Sequence, residues 1–416
     1  MSELQLPSEL GADGRPVRQR ALRAHNLALA LGLVADAATP LSRADIAAST
    51  GLTRATASTL VETLLAGGLL CEVAPARPPR SGRPATGLVL APDGPGGLGL
   101  EVGVDYVATT VVDLAGCVRH ADVVMADQRL LRPEQALSRA AAQAVAALDA
   151  TSVRVCGLAV ALPGLADAGH GRVRLAPNLG WREVDALAVL RREPRLAALS
   201  MSLDNEANYA ALCERYGAAG AHSFVYVSGE VGIGAGLVLE GQLYRGGRGW
   251  SGEIGHVTVD PAGPMCTCGA RGCLEQYAGQ EAILRRAGLD GGAATSLGGE
   301  PTVRRIVERA GVGDPAMLAA LAEAGHALGV VLAGVVNVLD LDTVVLGGVY
   351  APLAQWVQPV VEQELQARVL WSTWAPPAVR TASVGAEAAV LGAARSVVRG
   401  VLADPSRWLA ERPPVS

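Results

Sequence analysis

Hydrophobic and polar residues between positions 17 and 90 follow short helical patterns that are separated by turn signals. Leucine and valine recur near helical spacing over residues 17–36, which predicts a first helix. A second pattern follows Ser42, and Asp45 stands three positions later, as in a capping box. Gly51 interrupts this pattern after a few residues. The spacing therefore predicts a long helix followed by a short one.

A third helix is predicted directly after Gly51. Thr53 is a suitable N-cap, and the pair Gly67-Gly68 ends the pattern after about Ala66. Three apolar side chains would share one face of this helix: Ala57, Leu60 and Leu64. A short helix, a tight turn and a second helix with polar residues near its start are typical of a helix-turn-helix.

The residues after this pattern indicate a wing. Positions 69–92 read as two strands joined by a loop rich in proline, arginine and glycine. Arg80 and Arg83 are predicted at the loop tip, where guanidinium groups suit phosphates or a narrow minor groove. We therefore predict a flexible tail over residues 1–16 and a winged helix-turn-helix domain over residues 17–90.

Charge supports a nucleic-acid partner for this segment. Residues 17–90 carry eight arginines against four acids, whereas the whole chain has a formal net charge of −5. Such asymmetry favours a DNA-binding module joined to a body that binds something else. The candidate DNA-contacting residues are Arg43, Thr53, Arg54, Thr56, Ser58, Arg80 and Arg83. The alternative is a three-helix domain that contacts protein.

The pattern changes from residue 97 onward. Apolar runs typical of buried strands alternate with helical stretches as far as residue 399, which indicates an α/β domain. About 300 residues of this pattern favour two lobes around a cleft. Residues 400–416 are predicted to be a C-terminal tail.

Composition and the N-terminal sequence indicate the cellular compartment of the protein. We find no uninterrupted apolar run of about 18 residues and no signal-peptide order at the N-terminus, so we expect a cytoplasmic protein without a membrane partner. Four of the seven cysteines, Cys71, Cys117, Cys156 and Cys213, are scattered and are predicted to be reduced core residues.

The other cysteines form a cluster with one histidine. His256, Cys266, Cys268 and Cys273 have the spacing H-x9-C-x-C-x4-C, and thiolates with an imidazole are the ligands of closed structural zinc sites. Glycines 263, 269 and 272 would let the backbone turn tightly enough. A disulfide with spare thiols is the alternative, and it fits a reducing compartment poorly. Four protein ligands leave no position for catalysis, so the predicted zinc is structural.

Several ordered motifs resemble the ROK family of bacterial sugar kinases and sugar-responsive repressors. They are "ALPGLAD", "APNLGW", "DNEANYAAL", "VGIGAGLVLEG", "GEIGH", "CLE" and "VVLGG", and they cover nearly all of residues 97–395. The resemblance implies a two-lobed actin-like sugar kinase fold, with sugar and ATP in the cleft. With the winged helix-turn-helix, the chain resembles the repressor subtype.

Family motifs also imply the sugar-binding residues. Their counterparts here are Asn205, Glu206, Glu253, His256 and Glu275. Carboxylates and amides suit sugar hydroxyls because hydroxyls both donate and accept hydrogen bonds. The resemblance implies that His256 serves both the zinc and the sugar.

The chain departs from the kinase pattern where ATP would bind. The phosphate motif D-x-G-G-T-K corresponds to Glu101–Tyr106, with Val104 and Asp105 in place of glycine and threonine. The second phosphate loop, usually G-T-G-I-G, begins with Glu230 and Val231, and Glu206 stands where kinases carry the catalytic aspartate. An extra methylene moves that carboxylate by about 1 Å or more, enough to damage positioning. We therefore assign no catalytic residue. Asn-Glu-x-Asn is similar to the pattern of xylose-type repressors, which does not determine the ligand.

The sequence thus predicts a sugar-responsive DNA-binding transcriptional regulator, a repressor, whose kinase-like effector domain has lost phosphoryl transfer. We expect a dimer or tetramer on an inverted-repeat operator, because paired recognition helices read paired half-sites. An active ATP-dependent sugar kinase with a DNA-binding arm is the main alternative. A third is an activator, or a regulator whose effector is a phosphosugar or a protein, with Arg245 or Arg248 as a phosphate contact.

Overall fold

The structure, a computed structural model, describes residues 19–74, 86–217, 222–229, 231–289 and 300–410. It divides into two compact units. The helix-turn-helix unit contains the described residues within 1–96, 113–117 and 397–416, and the two-sheet unit contains those within 97–112 and 118–396. These limits differ from the predicted ones, since a short turn and the C-terminal segment group with the N-terminal residues.

Three helices begin the helix-turn-helix unit: α1 (Gln19–Asp36), α2 (Arg43–Thr50) and α3 (Arg54–Ala66). Ser42 and Asp45 form the predicted capping box, and Gly51 ends α2 with a left-handed conformation. Thr53 caps α3 by accepting a hydrogen bond from the Thr56 amide. Helices α2 and α3 therefore begin where local hydrogen bonds satisfy their first backbone donors.

Two strands follow, β1 (Leu70–Val73) and β2 (Gly87–Leu90). They pair antiparallel, with Leu70 opposite Leu90 and Val73 opposite Gly87. The predicted strands of the wing are therefore present. The predicted tip with Arg80 and Arg83 lies outside the described residues.

The first half of the two-sheet unit builds a five-stranded sheet and a small three-stranded sheet. Its elements are β3 (Pro95–Val102), β4 (Tyr106–Val112), β5 (Val118–Met125), α4 (Pro133–Asp149), β6 (Arg154–Leu162), β7 (Leu165–Asp167), β8 (Arg172–Ala176), β9 (Trp181–Val184), α5 (Ala186–Leu190), α6 (Pro194–Ala197) and β10 (Ser200–Asn205). The large sheet has the order β10-β6-β3-β4-β5, and β6 and β10 run parallel. A buried cluster joins β3, β6 and α4.

The second half builds another five-stranded sheet. Its elements are α7 (Glu206–Tyr216), β11 (Phe224–Gly229), β12 (Ile233–Leu239), β13 (Gln242–Tyr244), α8 (Glu275–Ala278), α9 (Gln280–Arg286), α10 (Glu300–Gly311), α11 (Pro315–Leu339), β14 (Thr343–Leu346), α12 (Tyr350–Arg368) and β15 (Ala378–Thr381). The order is β13-β12-β11-β14-β15, and helix α7 contacts strands of both large sheets. The α/β prediction is confirmed.

Among the described residues, α11 is long and apolar enough to span a membrane by length and composition alone. It is instead a core helix, because Leu321, Leu328 and Val336 are buried in the cluster beneath the second sheet. Packing against α8, α9 and α12 accounts for its apolar composition.

The C-terminal segment differs from the predicted tail. Helix α13 (Ala388–Ala403) is followed by α14 (Pro405–Ala410), which contacts α1. Trp408 is buried and its indole N–H donates to the Gly67 carbonyl at 3.2 Å. Burial of a tryptophan against the end of α3 makes residues 400–410 part of the folded unit. Of the four cysteines predicted to be core residues, Cys213 is buried, Cys71 and Cys156 are half-buried, and Cys117 is exposed, so the prediction is wrong for Cys117.

Candidate functional site

A cavity of about 310 Å³ in the two-sheet unit brings the predicted sugar-binding residues together. Its lining includes Gly164, Asn178, Asn205, Glu206, Gly232, Glu253, His256, Cys268 and Glu275. Such a volume lies at the lower end of the range for small-molecule sites, about 300–1,000 Å³. Polar side chains from Asn178 to Glu275, 97 positions apart in sequence, therefore line the same cavity.

One wall of the cavity forms where two parallel strands end. Asn205, the last residue of β10, pairs in register with Leu162, the last residue of β6. Its amide donates to the Gly164 carbonyl at 3.0 Å and its Oδ1 accepts from the Ala207 amide at 2.7 Å. The carboxyl ends of parallel strands are the usual place for ligands in α/β folds. Asn205 therefore shapes this wall and caps α7 at the same time.

The carboxylate of Asp204, the residue directly before Asn205, is held by several hydrogen bonds. Asp204 is 3% exposed and accepts from the Asn205 amide and from Asn208 Nδ2, at 2.8 and 2.7 Å. Arg245 donates to its other oxygen, with Nε and Nη2 at 2.9 and 2.8 Å. These bonds fix the start of α7, whose first residue is Glu206. Arg245, considered as a phosphate contact, is therefore committed to Asp204.

The opposite wall carries Glu253, His256 and Glu275. Glu253 precedes a short 3-10 turn that ends at His256, and Glu275 begins α8. Burial raises the pKa of both carboxyls above the ordinary range, and His256 opposes the shift. Carboxylates that lose water in this way gain from hydrogen-bond donors supplied by a ligand.

His256 also belongs to the metal cluster. Ligand atoms of His256, Cys266, Cys268 and Cys273 all lie within 4.8 Å of one another, so this group could hold a metal ion. The sulfurs of Cys268 and Cys273 are 3.7 Å apart, and Cys266 Sγ is 3.8 Å from His256 Nδ1. Zn–S bonds of about 2.3 Å in a tetrahedron place sulfurs about 3.8 Å apart. The four residues therefore fit a tetrahedral ion of this size, and the sulfur separation excludes a disulfide.

Backbone geometry brings these ligands together. Gly272 has a φ of +66°, and a Cβ at this position would stand 1.6 Å from the Asp260 carbonyl oxygen. The Val259 amide donates to the Gly272 carbonyl at 2.7 Å, and the Gly272 amide donates to Pro264 at 2.8 Å. Only glycine allows this close crossing. The segment from His256 to Cys273 is called the zinc loop below, after the metal that the sequence predicts for it.

The loop at residues 101–106 presents a different surface. Glu101, Val104 and Asp105 are all at most 5% exposed. The Tyr106 hydroxyl donates to Glu101 Oε1 at 2.7 Å, and its ring atom Cε1 lies 2.5 Å from where a Gly103 Cβ would stand. Burial raises the pKa of the Asp105 carboxyl, with Arg129 opposing. Glycine at 103 thus accommodates a tyrosine of the same loop.

The counterpart of the second phosphate loop borders the cavity through Gly232 and Gly234. The Ile233 amide donates to Glu275 Oε2 at 3.4 Å. A side chain at Gly232 would approach this same oxygen at 2.7 Å. The backbone here therefore faces a carboxylate. Glu230, the other departure from the motif, lies outside the described residues.

The candidate DNA contacts have different surroundings. Thr53, Arg54 and Thr56 are exposed at the start of α3, and Ser58 is half-buried. The Thr53 hydroxyl is occupied by its capping role. Arg43 forms an ion pair with Glu72 of β1 at 2.8 Å. The start of α3 is therefore presented to solvent, whereas Arg43 is tied to the strand beside it.

Two residues of the cavity region, Asn178 and Asp204, carried no individual prediction. Asn178 lines the cavity, and only its place in "APNLGW" could have indicated it. Asp204 and Arg245 form the anchor behind Asn205, but they are 41 positions apart and no local pattern joins them.

Two five-stranded sheets around a polar cavity, a His-Cys cluster and a helix-turn-helix unit define a class: a sugar-kinase-type fold joined to a helix-turn-helix. The family model described as ROK family matches residues 97–399, and the IclR helix-turn-helix domain matches residues 25–73. The chain belongs to the ROK family.

Similar proteins include both transcriptional regulators and a sugar kinase. The chain is 28% identical to the xylose repressor of Bacillus spizizenii over 368 residues, which are 87% of this chain and 92% of that protein. A ROK family transcriptional regulator, a homologue of the E. coli MLC protein, matches with a TM-score of 0.78 and 24% identity over 94% of this chain and 100% of its own. The ROK family glucokinase of Streptomyces griseus, in complex with glucose and AMPPNP, has a TM-score of 0.62 and 26% identity over 72% of this chain and 98% of its own.

Proposed function

We propose that the chain is a sugar-responsive transcriptional repressor of the cytoplasm. The observation that carries the proposal is the cavity lined by Asn205, Glu206, Glu253, His256 and Glu275 in a chain that also presents a helix-turn-helix. The xylose repressor with which the chain aligns over most of its length supports the same function.

A neutral sugar suits the charges of the cavity. Glu253 and Glu275 offer acceptors to hydroxyl donors, and the Asn205 amide has one N–H beyond the bond it makes to Gly164. A phosphate group would meet the acceptor oxygens of Glu253 and Glu275 on this wall, and the nearby Arg245 is held by Asp204. Xylose is the first candidate ligand, because of the relative's name.

The His256, Cys266, Cys268 and Cys273 cluster is proposed to hold a structural zinc. Its nitrogen and sulfur donors are those that Zn²⁺ prefers, and four protein ligands close the coordination sphere. Nδ1 of His256 faces the thiols, which leaves Nε2 for a sugar hydroxyl or a carboxylate. The ion would hold the loop that carries His256 and precedes Glu275.

Phosphoryl transfer is proposed to be lost. Phosphates need backbone donors and cations, but the loop at 101–106 buries two carboxylates and covers Gly103 with Tyr106. Glu206 also replaces the aspartate that the family uses as base. The alternative, an active sugar kinase, is supported by the glucokinase with the same fold.

DNA binding is proposed to use the exposed start of α3 in a dimer or tetramer on an inverted-repeat operator. Linkage requires that a sugar which releases DNA binds the DNA-free form more tightly, by the same factor by which it weakens operator binding. The effect of the sugar on operator binding is therefore measured in a single experiment that contains both ligands.

The test is operator footprinting with purified protein, with and without xylose, glucose and N-acetylglucosamine. We expect one of these sugars to remove protection, and we expect no sugar-dependent ADP formation from ATP. Protection that no sugar alters would overturn the ligand switch. Steady ADP formation with one of the sugars would instead establish the kinase.

A further inference from the structure

A second cavity in the two-sheet unit has no role in the proposed sugar response. Its volume is about 670 Å³. Its polar lining includes Asp260, Arg271, Gln276, Tyr277, Arg285 and Arg286. None of its lining residues belongs to the lining of the sugar cavity. The zinc loop nevertheless borders both, through Thr267 and Cys268 on one side and Asp260 and Arg271 on the other.

The three arginines that line this cavity, Arg271, Arg285 and Arg286, differ in their partners. Arg286 forms an ion pair with Glu323 of α11. Arg271 is exposed, and within the described ranges no carboxylate lies within 4 Å of its guanidinium group or of that of Arg285. Arg285 donates instead to the Gln276 carbonyl at 3.3 Å. Two guanidinium groups therefore remain available for an anion, in a chain whose net charge is −5.

The remaining groups suit hydroxyls. Asp260 uses Oδ1 to accept from the Ala262 amide at 2.9 Å, which leaves its second oxygen for a donor. Gln276 adds an amide side chain, and the Tyr277 hydroxyl lies against Gly263, where a Cβ would stand 2.2 Å away. A planar guanidinium fork recognises phosphate oxygens, and carboxylate and amide groups recognise alcohols.

We propose that this second cavity binds a small phosphorylated polyhydroxy compound, with its phosphate on Arg271 and Arg285 and its hydroxyls toward Asp260 and Gln276. Its volume exceeds what inorganic phosphate fills and falls within the range of metabolite sites. The repressor would thus carry a site for a phosphorylated metabolite that is separate from its sugar cavity.

The test is isothermal titration calorimetry of the full-length, zinc-loaded protein with glucose 6-phosphate, ribose 5-phosphate and inorganic phosphate. We expect at least one phosphosugar to bind more tightly than inorganic phosphate. Arg271→Gln and Arg285→Gln should each weaken this binding at least about tenfold, because each removes a charge-assisted hydrogen bond. Arg192→Gln, an exposed arginine elsewhere in the unit, makes the same charge change and should have no effect.

Two further measurements make the result decisive. Zinc content and melting temperature report whether Arg271→Gln disturbs the zinc loop. If it does, the proposal is tested by the phosphosugar affinity of Arg285→Gln, a substitution on α9, alone. Glu253→Gln separates the two cavities. Phosphosugar binding that survives both arginine substitutions but not Glu253→Gln would overturn the proposal, as would the absence of binding at millimolar concentration. Equal affinity for inorganic phosphate would overturn the assignment of a polyhydroxy ligand.

Discussion

The cavity wall that carries Glu253, His256 and Glu275 is proposed to face the sugar and is called the sugar-facing wall below. This wall and the loop at residues 101–106 both contain carboxylates, but the carboxylates have different surroundings. Glu253 and Glu275 line a cavity, and burial raises their pKa values. Glu101 accepts a hydrogen bond from Tyr106 of its own loop and is 2% exposed. A buried carboxylate that faces a cavity awaits donors from a ligand, whereas one that is bonded within its own loop contributes to the fold.

We expect the largest effect from a change in the zinc loop. This loop is adjacent in sequence to Glu253 and Glu275 of the sugar-facing wall, but not to the loop at residues 101–106. Cys273→Ser removes a buried thiol of the cluster. Structural zinc contributes on the order of 10 kcal/mol in small zinc domains, so we expect loss of zinc and loss of the sugar response. Elemental analysis and footprinting with sugar measure both.

Cys117→Ser is the matched control, since Cys117 is exposed and lies outside the cluster. It should retain zinc and the sugar response. A zinc-free Cys273→Ser protein that still released its operator at the wild-type sugar concentration would separate the metal from recognition.

The second effect concerns a single carboxylate of the sugar-facing wall. Glu253→Gln keeps the shape of the side chain and removes its charge. Hydrogen bonds to charged groups contribute about 1.5–3 kcal/mol, so sugar affinity should fall at least about tenfold. Calorimetry with the sugar that releases the operator measures this change. Glu308→Gln, with a side chain that is 69% exposed, should leave the affinity unchanged; equal affinities in all three proteins would place the sugar elsewhere.

The same contrast between committed and available groups applies to two arginines of the helix-turn-helix unit. Arg54 is exposed at the start of α3, whereas Arg43 is paired with Glu72. Arg54→Gln should weaken operator binding about tenfold. Arg43→Gln should change it by less than about threefold, because the Arg43 guanidinium group is already paired with Glu72 and is less available to a phosphate. Titrations of labelled operator at several salt concentrations test both; a larger loss for Arg43 would reverse our assignment.

These cases also show which features a sequence reveals. The capping box at Ser42 and the spacing of His256 to Cys273 involve neighbours along the chain, so residue type and distance in sequence suffice. The ion pair of Asp204 with Arg245 joins positions 41 apart, and the burial of Trp408 depends on the end of α3. Such contacts depend on tertiary packing, which no local pattern encodes.

The bond between Tyr106 and Glu101 had no sequence signal either, although the substitutions around it did indicate a changed loop. Asp105 and Val104 are poor phosphate neighbours by residue type alone. That a tyrosine covers Gly103 follows only from the structure, because the ring must turn back onto its own loop. The sequence therefore indicates that the phosphate motif has changed, but it does not indicate which contacts replace it.

The smallest expected effect tests that replacement. Tyr106→Phe keeps the ring over Gly103 but removes the hydroxyl that donates to Glu101. Loss of one hydrogen bond to a buried carboxylate should lower the free energy of unfolding by about 1–2 kcal/mol, as measured by urea denaturation. Sugar affinity should stay within about twofold of wild type, since Tyr106 does not line the sugar cavity.

Tyr244→Phe is the matched control, because Tyr244 is 45% exposed and its loss of a hydroxyl should leave stability unchanged. ATP should raise the melting temperature of neither the wild type nor Tyr106→Phe, since the ring still covers Gly103. If ATP stabilised the wild-type protein, the loop would retain a nucleotide site. Glu101 would then belong with Glu253 and Glu275 among carboxylates that await a ligand, and the contrast between the two regions would fail.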